Sequence, residues 1–354
     1  MSDDKIRVFI VDDSRVACEM LTHVLGSDPG LEIIGSAGSG AEAIAHLAER
    51  KADVVTMDIH MPGLDGFAVT RQLMETAPVP IVIVTASYHP EDVTQIFRAL
   101  EAGALALVEK PPGLGSPDFP AAAGRLIQTV KAMSEVRVIR RWARRSRDAV
   151  DSTAAAADFK TASPEIRLVA IGASTGGPPV VQTVLAGLPK PVPVPVLIVQ
   201  HISVGFASGF ADWLGTTTGM PVCLARHGMV AEPGTAYLAP DGFQMTVSRE
   251  GRIRCADDPP ENGSQPAVSC LFRSVAENFG SRGVGVLLTG MGRDGADGLK
   301  LMRDRGGVTF AQDKESSIVH GMPGEAIRLG AALHVGSPSQ IAARLRTLLT
   351  PRTP

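Results

Sequence analysis

Apolar and polar positions along this chain repeat at two different periods. Through residues 6–112, five short apolar runs read as strands: IRVFIV, LEIIGSA, ADVVTMD, VPIVIVTA and ALALVEK. Between them the spacing changes to that of one-sided helices over 14–26, 39–50, 65–76 and 91–101. Strands that are apolar almost throughout suit a sheet covered on both faces, where both alternating side-chain rows are buried. Regular alternation of strand and helix therefore predicts an α/β domain with a doubly wound parallel sheet.

The pattern breaks at PPGLGSPDFP, a loop rich in chain-breaking residues. A helical stretch follows, then VRVIRRWARRSR with six arginines, then the alanine-rich DSTAAAADF. This reads as a linker, helical first and flexible after, over 126–164. The arginine run has the composition of a solvated interdomain helix, and its charge could also attract an acidic partner. From Glu165 the alternation resumes, with strands at IRLVAIGA, VPVLIVQH, GVGVLLTG and GGVTFAQ. The stretch 219–270 is less regular and carries turn signals. The second domain, 165–350, is thus expected to be a Rossmann-like parallel sheet with a hairpin-rich insertion, following a first domain at 1–125. No internal repeat is evident.

Composition narrows the class. With 354 residues, two domains are expected. A hydrophobic content of 44% and a net charge of −3 describe an ordinary globular chain and argue against a dedicated nucleic-acid binder. The four cysteines, Cys18, Cys223, Cys255 and Cys270, form no CxxC pair, so neither a disulfide framework nor a zinc site is expected. MSDDK does not open like a signal peptide, and no apolar run approaches the roughly 18 residues that a membrane span needs. A cytoplasmic protein without membrane insertion is expected.

Polar residues stand where the apolar strands of the first domain end. Asp12 and Asp13 follow VFIV, Asp58 follows VVTM, Thr85 follows IVIV, and Lys110 follows LALVE. Any one of these could be only a polar strand terminus. Five at four strand ends share one edge of a parallel sheet, where ligands bind in such folds. Three clustered carboxylates call for a cation, and a small hard ion such as Mg2+ suits them. A carboxylate beside that ion can attack a phosphoryl group, with Thr85 and Lys110 holding the phosphoryl oxygens. Together with MDIHMPGLDG and EKPP, these residues resemble the receiver domain of bacterial response regulators across roughly residues 5–125. The resemblance implies that Asp58 is the phosphorylation site, fed by a sensor histidine kinase. It also implies that Asp12, Asp13 and Asp58 hold Mg2+, that Thr85 is the switch hydroxyl, and that Lys110 contacts the phosphoryl group. Leu107 departs from the pattern, since many receivers place an aromatic switch residue there.

In the second domain, LVAIGASTGGPPVV ends a strand on a glycine-rich turn. It lacks the G-x-G-x-x-G of a dinucleotide site and the G-K-[ST] of a phosphate loop. It does match G-x-S-x-G, which holds a serine on a tight strand-to-helix turn with its hydroxyl exposed. A turn without chemistry has the same pattern, so the partners decide. A serine nucleophile needs a base, and His201 stands at the end of VPVLIVQ. The base needs an orienting carboxylate, and Asp294 follows VGVLLTGMGR. The order Ser…His…Asp differs from that of α/β-hydrolases.

The elements IGASTGGP, QH, LTGMGRDGADG and AQDKESSIVHGMPGEAI resemble the catalytic domain of the chemotaxis receptor methylesterase family (CheB) over roughly residues 165–348. Receiver, linker and this domain follow that family's order. The resemblance implies a serine hydrolase acting on γ-glutamyl methyl esters, and on glutamines, of chemoreceptor cytoplasmic helices. Ser174 would be the nucleophile, His201 the base and Asp294 the residue that orients it. Backbone N–H groups near Thr175 and Met291 would form the oxyanion hole, a contribution worth about 3–4 kcal/mol per donor. No cofactor is implied for the esterase site. Phosphorylation would loosen a receiver that otherwise covers the esterase mouth. Gln265 and Ser269 stand where the family usually carries a basic residue and an aspartate. Other readings remain: an esterase of a non-chemotactic pathway, a DNA-binding response regulator, and a non-catalytic receptor-binding adaptor.

Overall fold

Five strands and five helices alternate through the first part of the chain: β1 (Ile6–Val11), α1 (Arg15–Gly26), β2 (Leu31–Ala37), α2 (Gly40–Glu49), β3 (Val54–Met57), α3 (Gly66–Thr76), β4 (Ile81–Thr85), α4 (Pro90–Ala102), β5 (Ala106–Glu109) and α5 (Phe119–Ser134). The computed structural model describes residues 5–85, 90–136, 138 and 165–350, with no side chains for 90–95. The chain divides into two units, Met1–Arg147 and Asp148–Pro354. The first is a parallel sheet in the order β2-β1-β3-β4-β5. Phe9, Ile10, Val54, Val55, Ile81, Val82 and Ile83 are wholly buried in it. Each such side chain contributes roughly 1.5–3 kcal/mol by leaving water. Polar caps start the helices: Ser14, Ser39 and Asp65 accept from the backbone N–H groups of Ala17, Glu42 and Ala68.

α5 corrects the expected boundary at residue 125, which falls inside it. Its Ala122, Leu126, Val130 and Met133 recur on one face and are buried against α1, β3, β4 and β5. Lys131 ties its last turn to Asp28 at 3.0 Å. The helix is therefore part of the first domain and not of a linker. The remainder of the expected linker, 139–164, with most of its arginine run, lies outside the described residues.

The second unit continues with β6 (Leu168–Ala173), α6 (Gly177–Ala186), β7 (Val196–Gln200), α7 (Ala207–Thr218), β8 (Val222–Leu224), β9 (Ala236–Leu238), β10 (Gln244–Val247), β11 (Ile253–Ala256), α8 (Val268–Phe279), β12 (Gly283–Leu287), α9 (Ala296–Asp304), β13 (Val308–Gln312), α10 (Met322–Arg328), β14 (His334–Gly336) and α11 (Pro338–Leu349). Seven strands form one parallel sheet in the order β14-β13-β12-β6-β7-β9-β8. Every residue of β6, β7, β12 and β13 is buried, as their mainly apolar runs predict, and the burial includes the polar Gln200, Thr309 and Gln312. Within the irregular stretch, β10 and β11 form an antiparallel hairpin. β8 and β9 instead extend the main sheet in parallel. After β6 the chain builds outward on one side, then crosses back to lay β12 on the other. The strand order thus reverses between β6 and β12, and a crevice opens there at the carboxyl ends of the strands.

Candidate active site

Ser174 lies at that crevice, one residue beyond β6. Its backbone N–H donates to Thr289 O at 3.0 Å, binding the turn to the end of β12. Gly176 adopts φ 74°, a left-handed conformation that turns the chain sharply into α6. Within the described residues the Ser174 hydroxyl makes no hydrogen bond, and the residue is half-buried. Gly290 passes so close that a Cβ there would sit 2.7 Å from Ser174 Cβ.

The neighbouring strand delivers His201. Ala173 and Gln200 are register partners, and His201 N–H donates to Ala173 O at 2.9 Å. Ser174 and His201 therefore leave the sheet side by side. The imidazole Nε2 lies 3.0 Å from Asp294 Oδ2. Asp294 is only 4% exposed, yet four donors hold its carboxylate. Oδ2 accepts from Val268 N–H at 2.7 Å as well as from His201. Oδ1 accepts from Ser269 N–H at 3.0 Å and, at 3.4 Å, from Asn262 Nδ2. Val268 and Ser269 open α8, so the carboxylate faces a helix N-terminus and its partial positive charge. Burial alone would push Asp294 up. The His201 bond and charge, with the bonds from Ser269 and Val268, outweigh it and hold the group at about 2. An ionised carboxylate can only accept, so Nε2 carries a ring proton, and Nδ1 is the nitrogen that can act as a base when the ring is neutral. A cavity of about 270 Å³ opens here, lined by His201, Asn262, Ser264, Met291, Arg293 and Asp294 among others.

Two contacts were not legible in the sequence. Ser269 N–H binds Asp294 directly, and its Oγ accepts from Gly295 N–H at 2.8 Å. Asn262 has φ 52°, an uncommon conformation for a residue with a side chain, which asparagine adopts more readily than most. No motif marked it. Gln265, the other departure, donates to Asp258 O at 2.8 Å and Asp257 Oδ1 at 3.1 Å.

In the first domain, Asp12, Asp13 and Asp58 bring carboxylate oxygens within 4.8 Å of one another. They stand at the ends of β1 and β3, beside that sheet's own reversal of strand order. Lys110 Nζ reaches Asp12 Oδ2 at 2.7 Å and Asp58 Oδ2 at 3.1 Å. Burial pushes Asp12 up, and Lys110 only partly offsets this. Burial would lower Lys110, but Asp12 and Asp58 raise it, so the ammonium stays charged. Three carboxylates against one ammonium leave room for the charge of a divalent cation, and their oxygen donors suit a hard one. Thr85 is buried at the end of β4, and its carbonyl accepts from Lys110 N–H at 2.9 Å. Leu107 is half-buried on β5, paired in register with Ile83.

Comparison with known proteins covers both halves. The CheB methylesterase family model matches residues 169–345, and the response regulator receiver domain model matches residues 8–115. A protein-glutamate methylesterase/protein-glutamine glutaminase of Nitrosospira multiformis is 50% identical over 347 residues, 98% of either chain. A relative of the same description in Geobacter metallireducens is 49% identical over 344 residues, 97% of this chain and 99% of its own. The crystal structure of the Thermotoga maritima CheB methylesterase catalytic domain superposes with a TM-score of 0.50 at 34% identity. It covers 52% of this chain and 99% of that one. No helix of the described residues is long and apolar enough to cross a membrane.

Proposed function

The chain belongs to the CheB methylesterase family, with a receiver domain ahead of the hydrolase domain, and from that premise we propose that it is a phosphorylation-activated protein-glutamate methylesterase and protein-glutamine glutaminase acting on chemoreceptors. The observation that carries the reading is the His201–Asp294 pair, fixed one strand away from a serine whose hydroxyl has no competing bond among the described residues. Ser174 Oγ attacks the carbonyl carbon of the glutamyl methyl ester while His201 Nδ1 takes its proton. Asp294 holds the other ring nitrogen and stabilises the imidazolium as it forms. The N–H groups of Thr175 and Met291 receive the oxyanion. The tetrahedral intermediate collapses, and His201 returns the proton to the leaving methanol. A water molecule then attacks the acyl-enzyme, with His201 again as base, and frees the glutamate carboxylate. With a glutamine substrate the leaving group is ammonia and the rest is unchanged.

In the receiver domain, Asp12, Asp13 and Asp58 would hold Mg2+, which would supply positive charge against the phosphoryl oxygens. Asp58 accepts the phosphoryl group from a sensor histidine kinase, while Lys110 and Thr85 contact it. The added charge shifts the receiver and releases the hydrolase. The protein works in the cytoplasm, where receptor helices and kinase are available.

The test is methanol release from methylated chemoreceptor membranes by wild type and Ser174→Ala, each with and without a small phosphodonor and Mg2+. Release that requires Ser174 and rises with the phosphodonor is the expected result. Equal release by both proteins would eliminate the serine mechanism.

A further inference from the structure

Gln200 stands between Ser174 and His201 and has no part in the scheme above. It is 3% exposed at the end of a strand whose other members are all apolar. Its Nε2 donates to Ser174 O at 2.8 Å and to His201 O at 2.9 Å. Both neighbours are carbonyls and can only accept, which fixes the orientation of the amide. Its Oε1 is buried without a hydrogen-bond partner. That oxygen lies where a side chain on residue 177 would go: a Cβ on Gly177 would sit 2.2 Å away. A residue serving only to fill this space would be apolar and would leave no buried oxygen unsatisfied. The arrangement therefore serves the two donated bonds.

Resting on the proposed serine mechanism, we infer that Gln200 is a positioning residue that aims one of the two oxyanion donors. The carbonyl of Ser174 and the N–H of Thr175 belong to a single peptide unit. In a planar trans peptide they point in opposite directions. Gln200 Nε2 and Gly177 N–H, the latter at 2.8 Å, both hold that carbonyl. Thr175 N–H is thereby turned away from Gln200 and Gly177. The same Nε2 holds His201 O, so the turn of the nucleophile and the strand carrying the base share one anchor. The second donor is built alike from backbone: Gly290 O accepts from Gly321 N–H at 3.1 Å and Met322 N–H at 2.9 Å, which directs Met291 N–H outward. Preorganised donors of this kind need no reorientation when charge develops.

Two variants of the full chain test this. Gln200→Met keeps the length of the side chain and loses both donors. Gly177→Ala changes no polar group but drives a methyl into Gln200 Oε1, at 2.2 Å, and more lightly against Ala173 Cβ, at 2.9 Å. For each, kcat and KM for methanol release, the rate of ammonia release from a glutamine-bearing receptor, and Tm are measured. The expected result is a fall in kcat of about 10- to 100-fold, short of the ~10²–10³ that outright loss of an oxyanion donor costs. KM stays within about two-fold, and methanol and ammonia release fall in the same proportion, because the oxyanion is common to both reactions. A folded Gln200→Met with kcat within about two-fold of wild type overturns the inference. So does a rise in KM with kcat unchanged, or an unequal loss of the two activities. Should Gln200→Met not fold, Gly177→Ala decides by the same criteria. A wild type that releases no methanol overturns the proposed function, and this inference with it.

Discussion

Replacing Asp294 by asparagine is a stringent test, because no orientation of the amide fits. Within the described residues, four donors surround the carboxylate: His201 Nε2 and Val268 N–H on one oxygen, Ser269 N–H and Asn262 Nδ2 on the other. An amide nitrogen in the Oδ2 position opposes Val268 N–H. It can also only donate to His201, which moves the ring proton to Nδ1 and disables the base. An amide nitrogen in the Oδ1 position spares the tautomer but opposes Ser269 N–H. The charge is lost either way. The fall of the Asp294 pKa from 3.8 to about 2 corresponds to about 2 kcal/mol of stability. With one backbone N–H also left unsatisfied, the total is about 3 kcal/mol. In a domain of this size that lowers Tm by roughly 6–12 °C. The expected loss in kcat is ~10²–10⁴, the larger value belonging to the wrong tautomer.

Calorimetry as a function of pH separates charge from shape in this experiment. A carboxylate whose pKa is depressed by folding stabilises the fold fully above its unfolded value. That stabilisation fades as pH falls toward the folded value. The gap in stability between wild type and Asp294→Asn is therefore expected to narrow between pH 3.8 and about 2. A gap that stays constant with pH, or a variant with Tm within about 1 °C of wild type, would refute the claim that ionisation is what the pocket holds.

Other expectations follow from the same contacts. Ser174→Ala abolishes methanol release but moves stability by no more than about 0.5 kcal/mol, since the hydroxyl bonds to no described residue; a large drop in Tm would mean the serine is structural. Lys110→Met strips the ammonium from Asp12 and Asp58, which destabilises the metal-free receiver. Adding Mg2+ should then raise Tm more in the variant than in wild type, and equal shifts in a thermal titration would count against a shared cation site. Ser269→Ala leaves Gly295 N–H without its acceptor. It is expected to cost about 1 kcal/mol and to lower kcat several-fold through Asp294, as steady-state kinetics beside a melting curve will show.

The buried strands were legible because residues such as Val8–Val11 and Leu168–Ala173 are apolar without interruption, and a sheet covered on both faces is what such runs build. The polar residues at their ends stood out for the same reason: Asp12, Asp58 and Ser174 each interrupt an apolar run where it terminates, and His201 follows one closed by Gln200. What stayed hidden depends on contacts between residues far apart in sequence. β14 is three residues long and exists through pairing with β13. α5 looked like part of a linker because an amphipathic helix does not announce which surface receives its apolar face. Ser269 and Asn262 reach Asp294 from 25 and 32 residues away, and a serine at a helix start reads as an ordinary capping position. Gln200 did carry a signal, as a polar residue closing a wholly buried strand, but its next neighbour His201 drew the chemical interpretation.

The separation between His201 and Asp294, 93 residues, also sets when the chain can first act during its own synthesis. By the time β7 has left the ribosome, the proposed nucleophile and base are both present, but no carboxylate orients the imidazole. β6 cannot gain its second neighbour until β12 is made, as the pairing of Leu168 with Gly283 requires. The anchors of Gly290 arrive later still, with Gly321 and Met322. On the proposed mechanism, hydrolytic competence is therefore acquired only once Met322 has been made, after the receiver residues have emerged. On that mechanism, a nascent or prematurely terminated chain ending before Asp294 would carry the serine without the power to use it.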